Sequence, residues 1–310
     1  MEIKVESISK LFGDVRALDD VSFEVKPGEL FGLIGPDGGG KTTLFRILTT
    51  LVLPDSGHAI VAGHPLTDYK AIRRSVGYMP GRFSLYQDLT VEENLKFFAS
   101  IFGTTVDENY ELIRDIYVQI ERFRNRRAGA LSGGMKQKLA LCCALIHRPR
   151  VLFLDEPTTG VDPVSRREFW EMLGRLRQGG MAILVSTAYM DEASLCDRVA
   201  LIQDGRILTT NTTAHITATF GRPLFAIRTS NIYEVTLDLQ SYTFTRSIYP
   251  FGEYLHYTDK RETPDPDEVG AFLRDKGHGD VELSVIEPTI EDAFMELAEN
   301  NTKPAHNAAI

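Results

Sequence analysis

Gly35-Pro-Asp-Gly-Gly-Gly-Lys41-Thr42-Thr43 is the stretch on which the reading of this chain turns. It lies between the apolar run Phe31-Gly-Leu-Ile34 and the helical pattern Thr43-Leu-Phe-Arg-Ile-Leu48. The pattern G-x-x-x-x-G-K-[ST] is met at Gly35, Gly40, Lys41 and Thr42. Glycines let the backbone wrap closely, so that successive N–H groups and the start of the following helix face phosphate oxygens. Gly35, Pro36, Asp37, Gly38, Gly39, Gly40, Lys41, Thr42 and Thr43 are therefore the candidate phosphate-binding residues. The pattern predicts that Lys41 reaches the β- and γ-phosphates of a bound nucleotide and that the Thr42 hydroxyl ligates Mg²⁺.

Working outward, Val151-Leu-Phe-Leu154 is a short apolar run of the kind that fills a strand covered on both faces. Asp155 at its end is the candidate metal-binding carboxylate, and Glu156 the candidate base that polarises an attacking water. Asp162-Pro163 caps a following helix, with Pro at its first position; Phe169, Met172, Leu173 and Leu176 form its apolar face and Gly179-Gly180 ends it. Between the two phosphate-handling segments stands Leu131-Ser-Gly-Gly134, followed by a helix read over Lys138 to His147. Alone, Ser-Gly-Gly before a helix is more often an ordinary N-cap with a flexible entry.

In that order the three motifs resemble the ATP-binding subunit of an ATP-binding-cassette (ABC) transporter over residues 1–215. The resemblance implies an α/β P-loop NTPase (RecA-like) core with an inserted helical subdomain at about 83–150. It implies an ATPase that binds ATP and Mg²⁺ and forms a head-to-tail dimer with a second nucleotide-binding domain. In that dimer Ser132, Gly133 and Gly134 meet the γ-phosphate held by the opposite protomer, where a helix N-terminus brings positive partial charge. Phe12 matches the position at which the family stacks an aromatic ring on adenine. Transmembrane permease subunits are the implied partners, docking a cytoplasmic helix in a groove that Phe83, Leu85, Tyr86 and Leu89 line, or else those side chains simply pack the subdomain. The tail is similar to that of drug- and polysaccharide-type exporter ATPases, which makes the expected function that of a motor subunit in an exporter.

Two positions depart from the family pattern. After Ser75-Val-Gly-Tyr-Met-Pro80 the family carries a glutamine, and this chain has Gly81; after Ala182-Ile-Leu-Val-Ser-Thr187 it carries a histidine, and this chain has Ala188. Neither replacement has a side-chain hydrogen-bonding group. Gln87 stands too far along the chain to substitute, and Tyr189 is the wrong side chain. An alternative expectation follows: a mainly non-hydrolytic half of an asymmetric heterodimer, with its own signature intact.

With 310 residues, 43% of them hydrophobic, the chain can bury one large domain and one small one. A net charge of −9 without any Lys/Arg-rich run argues against a nucleic-acid partner. Cys142, Cys143 and Cys196 lack metal spacing and read as core residues of a reducing compartment. The opening Met-Glu-Ile-Lys-Val-Glu carries no hydrophobic signal, and no apolar run reaches the length of a membrane span. The expected location is cytoplasmic, peripheral to the inner or plasma membrane through partner subunits. Past Leu208 a βαββαβ order over residues 223–287 predicts a small α+β ferredoxin-like accessory domain, placed at 222–299. Residues 300–310, polar and small, read as a disordered tail.

Overall fold

The computed structural model describes residues 1–302. It divides into two compact units, Met1–Thr213 together with the described residues from Leu297 on, and Ala214–Glu296. In chain order the first unit carries β1 (Ile3–Phe12), β2 (Val15–Val25), β3 (Leu30–Ile34), α1 (Lys41–Leu48), β4 (Ser56–Val61), β5 (His64–Pro65), α2 (Tyr69–Ser75) and β6 (Val76–Met79). It continues with α3 (Val91–Ile101), α4 (Tyr110–Tyr117), α5 (Gly133–Leu145), β7 (Val151–Asp155), α6 (Pro163–Gln178), β8 (Ala182–Thr187), β9 (Arg198–Gln203) and β10 (Arg206–Asn211).

The central sheet runs β10-β9-β3-β8-β7-β6, parallel from β9 to β6, with β10 antiparallel at its edge. Every residue of β3, β7 and β8 is buried, which explains their unbroken apolar spelling. A second, antiparallel sheet runs β2-β1-β4-β5. One core joins Ile3, Val21 and Phe23 of that sheet to Leu44 and Phe45 of α1 and to Phe31, Phe153 and Leu184 of the central sheet. Phe45 meets Phe153 edge-on at 5.8 Å, and Phe23 stacks on Phe31 at 5.3 Å. Burying each such ring contributes roughly 2–3 kcal/mol, so α1 is clamped between the two sheets. The β9–β10 hairpin turns at Asp204-Gly205, with φ of 48° and 75°, the double positive-φ turn whose twist matches paired strands.

Between β6 and β7 the chain is helical. Thr90 and Glu93 form a reciprocal capping box at the start of α3, as their spacing predicts. Helix α5, which packs on α3 and α4, begins at Gly133 rather than Lys138. Ser132 supplies the reason: as N-cap its hydroxyl accepts the Met135 N–H at 3.4 Å, which lets two poor helix formers occupy the first turn. Helix α1 likewise begins at Lys41, ahead of the Thr43 start read from the sequence.

The helix α7 (Thr213–Ala218) leads into the second unit. There β11 (Leu224–Arg228), α8 (Ile232–Ser241), β12 (Thr245–Phe251), β13 (Tyr254–Asp259), α9 (Pro266–Asp275) and β14 (Glu282–Ile286) follow in the βαββαβ order. The sheet order is β12-β13-β11-β14, all antiparallel, as in a ferredoxin-like fold. Phe225, Ile227, Leu255 and Tyr257 pack against Val235, Leu239, Val269 and Leu273 of α8 and α9. On the sheet's other side His256 Nδ1 lies 2.6 Å from Asp292 Oδ1, on the last helix α10 (Ile290–Thr302). The tail expected from residue 300 is helical as far as Thr302, and 303–310 lie outside the described residues.

Asp259, at the end of β13, is buried and accepts from Arg261 N–H and Nε at 2.9 and 3.0 Å and from Tyr257 at 3.0 Å. Burial pushes its carboxyl upward, but the bonds from Arg261 more than offset this and hold it below its ordinary value of 3.8. Its contribution is therefore present above that value and is lost as the pH falls through the lower, folded one. Asp259→Ala leaves the Tyr257 hydroxyl and the Arg261 N–H without their acceptor while the guanidinium keeps Glu268, and a loss of about 1–3 kcal/mol in urea-monitored stability is the expected outcome.

Candidate nucleotide site

The C-terminal ends of β3, β7 and β8 lie side by side, with Ile34 opposite Thr187 and Asp155 opposite Ser186. In open parallel sheets this edge is where ligands bind. Two glycines of the loop are fixed by space. A Cβ at Gly35 would stand 2.0 Å from the Ile202 carbonyl, and Gly40, at φ 99°, would meet the Ala17 carbonyl at 2.5 Å. Gly39 N–H closes the loop on the Pro36 carbonyl at 3.1 Å, and Gly205 N–H holds the Gly39 carbonyl at 3.2 Å, so the β9–β10 turn braces it from behind. Pro36, Asp37 and Gly38 are exposed on the open side, while Thr42 and Thr43 are half-buried in the first turn of α1.

Lys41 is 3% exposed, yet its ammonium is well supplied. Nζ donates to the Gly35 and Pro36 carbonyls at 2.8 and 3.0 Å and lies 3.3 Å from Glu156 Oε1, with Asp37 at 4.0 Å. Asp155 is buried and accepts the Ser186 hydroxyl at 2.6 Å. Glu156 follows at φ 49°, a left-handed turn that a non-glycine residue adopts at a cost and that is common at functional sites. Its N–H is held by the Ser186 carbonyl at 3.0 Å. The structure thus brings Lys41, Asp155 and Glu156 together.

These residues fit a metal–nucleotide complex. Among the described residues no group of three His, Cys, Asp or Glu side chains is placed to hold a metal unaided. Mg²⁺ takes one or two protein oxygens and completes its shell with phosphate and water, and the Asp155 carboxylate with the Thr42 hydroxyl would supply donors of that kind.

Sequence reading passed over a buried polar network behind the site. Glu192 is 1% exposed, and its two oxygens accept Thr158 Oγ1 at 2.7 Å and Thr187 Oγ1 at 2.6 Å. Thr187 also gives its carbonyl to Gly35 N–H at 3.3 Å and its Oγ1 to Tyr189 N–H at 3.0 Å, so one network ties the segments after β7 and β8 to the phosphate loop. The signal was hydroxyl residues at the C-terminal ends of adjacent parallel strands. Glu192→Ala removes the acceptor of both threonine hydroxyls, and a stability loss of about 2–4 kcal/mol by thermal denaturation is expected.

Gly81 lies against the carboxylates: a Cβ there would be 3.1 Å from the Asp155 carbonyl and 3.8 Å from Glu156 Cβ. Gln87 is exposed, its main-chain carbonyl accepting Gly129 N–H at 2.9 Å, and the Tyr189 ring lies 4.2 Å beneath the Arg166 guanidinium. Phe12 is 49% exposed, with the Lys10 ammonium 5.4 Å from its ring. Ser132 and Gly133 are exposed at the head of α5, and among the described residues Ser132 has no hydrogen bond to the phosphate loop. A groove of about 400 Å³ opens beside Gly81, lined by Phe83, Leu85, Phe98, Phe102 and His147. Tyr86 and Leu89 are not among its walls, and Tyr86 packs edge-on against Phe97 at 4.8 Å.

Comparison with known proteins bears on this geometry. The ABC transporter family model matches residues 18–159. The Nod factor export ATP-binding protein I of Rhizobium sp. (strain N33) is 36% identical over 300 residues, spanning 95% of this chain and 96% of that protein. The chain belongs to the ABC transporter ATP-binding family. The probable multidrug ABC transporter ATP-binding protein YbhF of Escherichia coli is 42% identical over 213 residues; that match spans 68% of this chain but only 37% of YbhF. Among solved structures, a dimeric bacterial ABC transporter cassette superposes with a TM-score of 0.62 at 26% identity, covering 68% of this chain and 98% of that one. As an ABC ATP-binding protein the chain is a nucleotide-binding ATPase of the P-loop NTPase fold. Among its described residues no helix is long and apolar enough to cross a membrane.

Proposed function

We propose that this chain is the ATP-hydrolysing motor of a membrane exporter, closing head to tail on a second nucleotide-binding domain around two Mg·ATP and driving transmembrane permease subunits from the cytoplasmic side. The observation that carries the reading is the cluster of Lys41, Asp155 and Glu156 at the ends of adjacent strands, on a chain matched nearly end to end by an export ATP-binding protein. Bound ATP supplies the phosphoanhydride bond whose hydrolysis releases the working energy. Lys41 and the loop amides hold the phosphates, Thr42 with Asp155 holds Mg²⁺, and Glu156 takes the proton of the attacking water. Phe12 offers its exposed ring to the adenine, and Ser132, Gly133 and Gly134 serve the nucleotide of the second protomer. The groove beside Gly81 takes a permease helix, its apolar walls matching an apolar helix face.

Light scattering of the full chain with and without Mg·ATP tests the reading. A nucleotide-dependent doubling of mass, together with steady-state phosphate release, is expected; a chain that stays monomeric at every nucleotide concentration overturns it. A second reading rests on Gly81 and Ala188: slow hydrolysis in the chain's own site, with pairing to a related chain. Tight ATP binding with turnover only in a mixed assembly distinguishes it.

A further inference from the structure

Gly134 is buried in the first turn of α5, on the side that faces α6. A Cβ at Gly134 would lie 2.6 Å from Ser165 Oγ and 2.8 Å from Ser165 Cβ. Rotating the serine hydroxyl relieves the first contact but not the second, because Cβ moves only with the backbone of α6. That backbone is pinned: Ser165 N–H donates at 3.0 Å to Asp162, the N-cap of the helix. One turn along α5 from Gly134, Lys138 Nζ meets Glu168 Oε2 at 2.6 Å, with the lysine side chain only 13% exposed. Pro157, Val161 and Phe169 line the same seam, and Pro157 directly follows Glu156. A single packed joint therefore links the segment that carries the chain's own base to the segment that carries Ser132.

We propose that Ser165 is a positioning residue for the Ser132-Gly133-Gly134 segment, and that position 134 is glycine because α6 approaches it, not because a nucleotide does. Helix α6 then sets the pose in which Ser132 and the two glycine amides are presented to the second protomer, and the Lys138–Glu168 pair holds that pose one turn on. The presentation in trans rests on the dimer proposed above; the packing of Gly134 on Ser165 does not.

The test uses the full chain in a Glu156→Gln background, reading melting temperature and ATP-dependent dimerisation by light scattering. Gly134→Ala is expected to lower the melting temperature by about 2–8 °C and to weaken dimerisation about tenfold or more, the range of an overpacked core contact. Adding Ser165→Gly, which removes both clashing atoms, restores both readouts to those of Ser165→Gly alone. Adding Ser165→Ala, which keeps Cβ, restores neither. Should Gly134→Ala not fold, recovery of folded protein by Ser165→Gly and not by Ser165→Ala gives the same answer. Glu168→Gln is expected to weaken dimerisation about threefold with the melting temperature nearly unchanged, since the glutamate is 45% exposed. An unchanged melting temperature in Gly134→Ala, or equal rescue by both serine variants, overturns the packing claim. A restored melting temperature with dimerisation still lost assigns the glycine to the nucleotide and overturns the positioning claim. If the Glu156→Gln chain itself stays monomeric with ATP, the dimer reading falls, and the melting series alone decides the packing.

Discussion

Placing glutamine at position 81 and histidine at position 188 together is expected to raise steady-state ATP turnover of this chain by about 10²-fold or more. One preorganised polar group aimed at a developing charge is commonly worth about 10²–10³ in rate, and two in a single site do not add. Gly81 is exposed, and its new Cβ would stand 3.1 Å from the Asp155 carbonyl, so the loop has to yield by a few tenths of an ångström. From there a glutamine amide starts beside Glu156, whose Cβ is 3.8 Å away. Ala188 is half-buried and follows Thr187, which is anchored to Gly35 and Glu192, so a histidine there departs from a fixed backbone beside the phosphate loop. Phosphate release at saturating Mg·ATP, measured for each single variant and for the double, reads the effect. Turnover within twofold of the unmodified chain in all three would mean that the site already has its full polar complement from another source. ATP affinity is expected to change little in either single variant, because Lys41 and the loop amides that bind the phosphates are untouched.

What the sequence disclosed depended on how local each feature is. The phosphate loop was legible because its chemistry is spelled in consecutive residues, and β7 because a strand buried on both faces is written as an unbroken apolar run. The second unit was legible through the βαββαβ order of its segments, and in the structure Asn231 and Asp265 cap its two helices. The start of α5 was misplaced because glycine propensity argues against helix, whereas the Ser132 cap accommodates both glycines and the tertiary seam with α6 favours glycine at 134. The Glu192 network was missed for a related reason: Thr158 lies 34 residues before Glu192 and meets it and Thr187 only once β7 and β8 are paired. The groove was half-read. Phe83 and Leu85 do face it, but Tyr86 turns away to Phe97, a choice between neighbours that no spacing rule makes.

Glu156→Gln is expected to lower turnover by about 10³-fold while leaving ATP binding intact or tighter. Glu156, though paired with Lys41, is the more accessible of the two carboxylates: Asp155 is buried and occupied by the Ser186 hydroxyl, whereas the Glu156 side chain is 24% exposed, turned there by its left-handed backbone. An amide keeps the shape and still accepts a hydrogen bond through Oε1, so the 3.3 Å approach to Lys41 survives without its ionic component. The basicity is what disappears, and general-base assistance with its associated charge stabilisation typically supplies about 10²–10⁴ in rate. Binding responds in the opposite sense. Removing one negative charge close to the phosphates relieves a repulsion of about 1–4 kcal/mol at contact distances, and it frees the Lys41 ammonium from competition for the ligand. The two quantities are separable: single-turnover phosphate release gives the chemical step, and equilibrium titration with a fluorescent ATP analogue gives affinity. A residual chemical rate within tenfold of the unmodified chain would assign the base to another group. Affinity lost in parallel with rate would instead make Glu156 part of the binding frame that holds Lys41 in place.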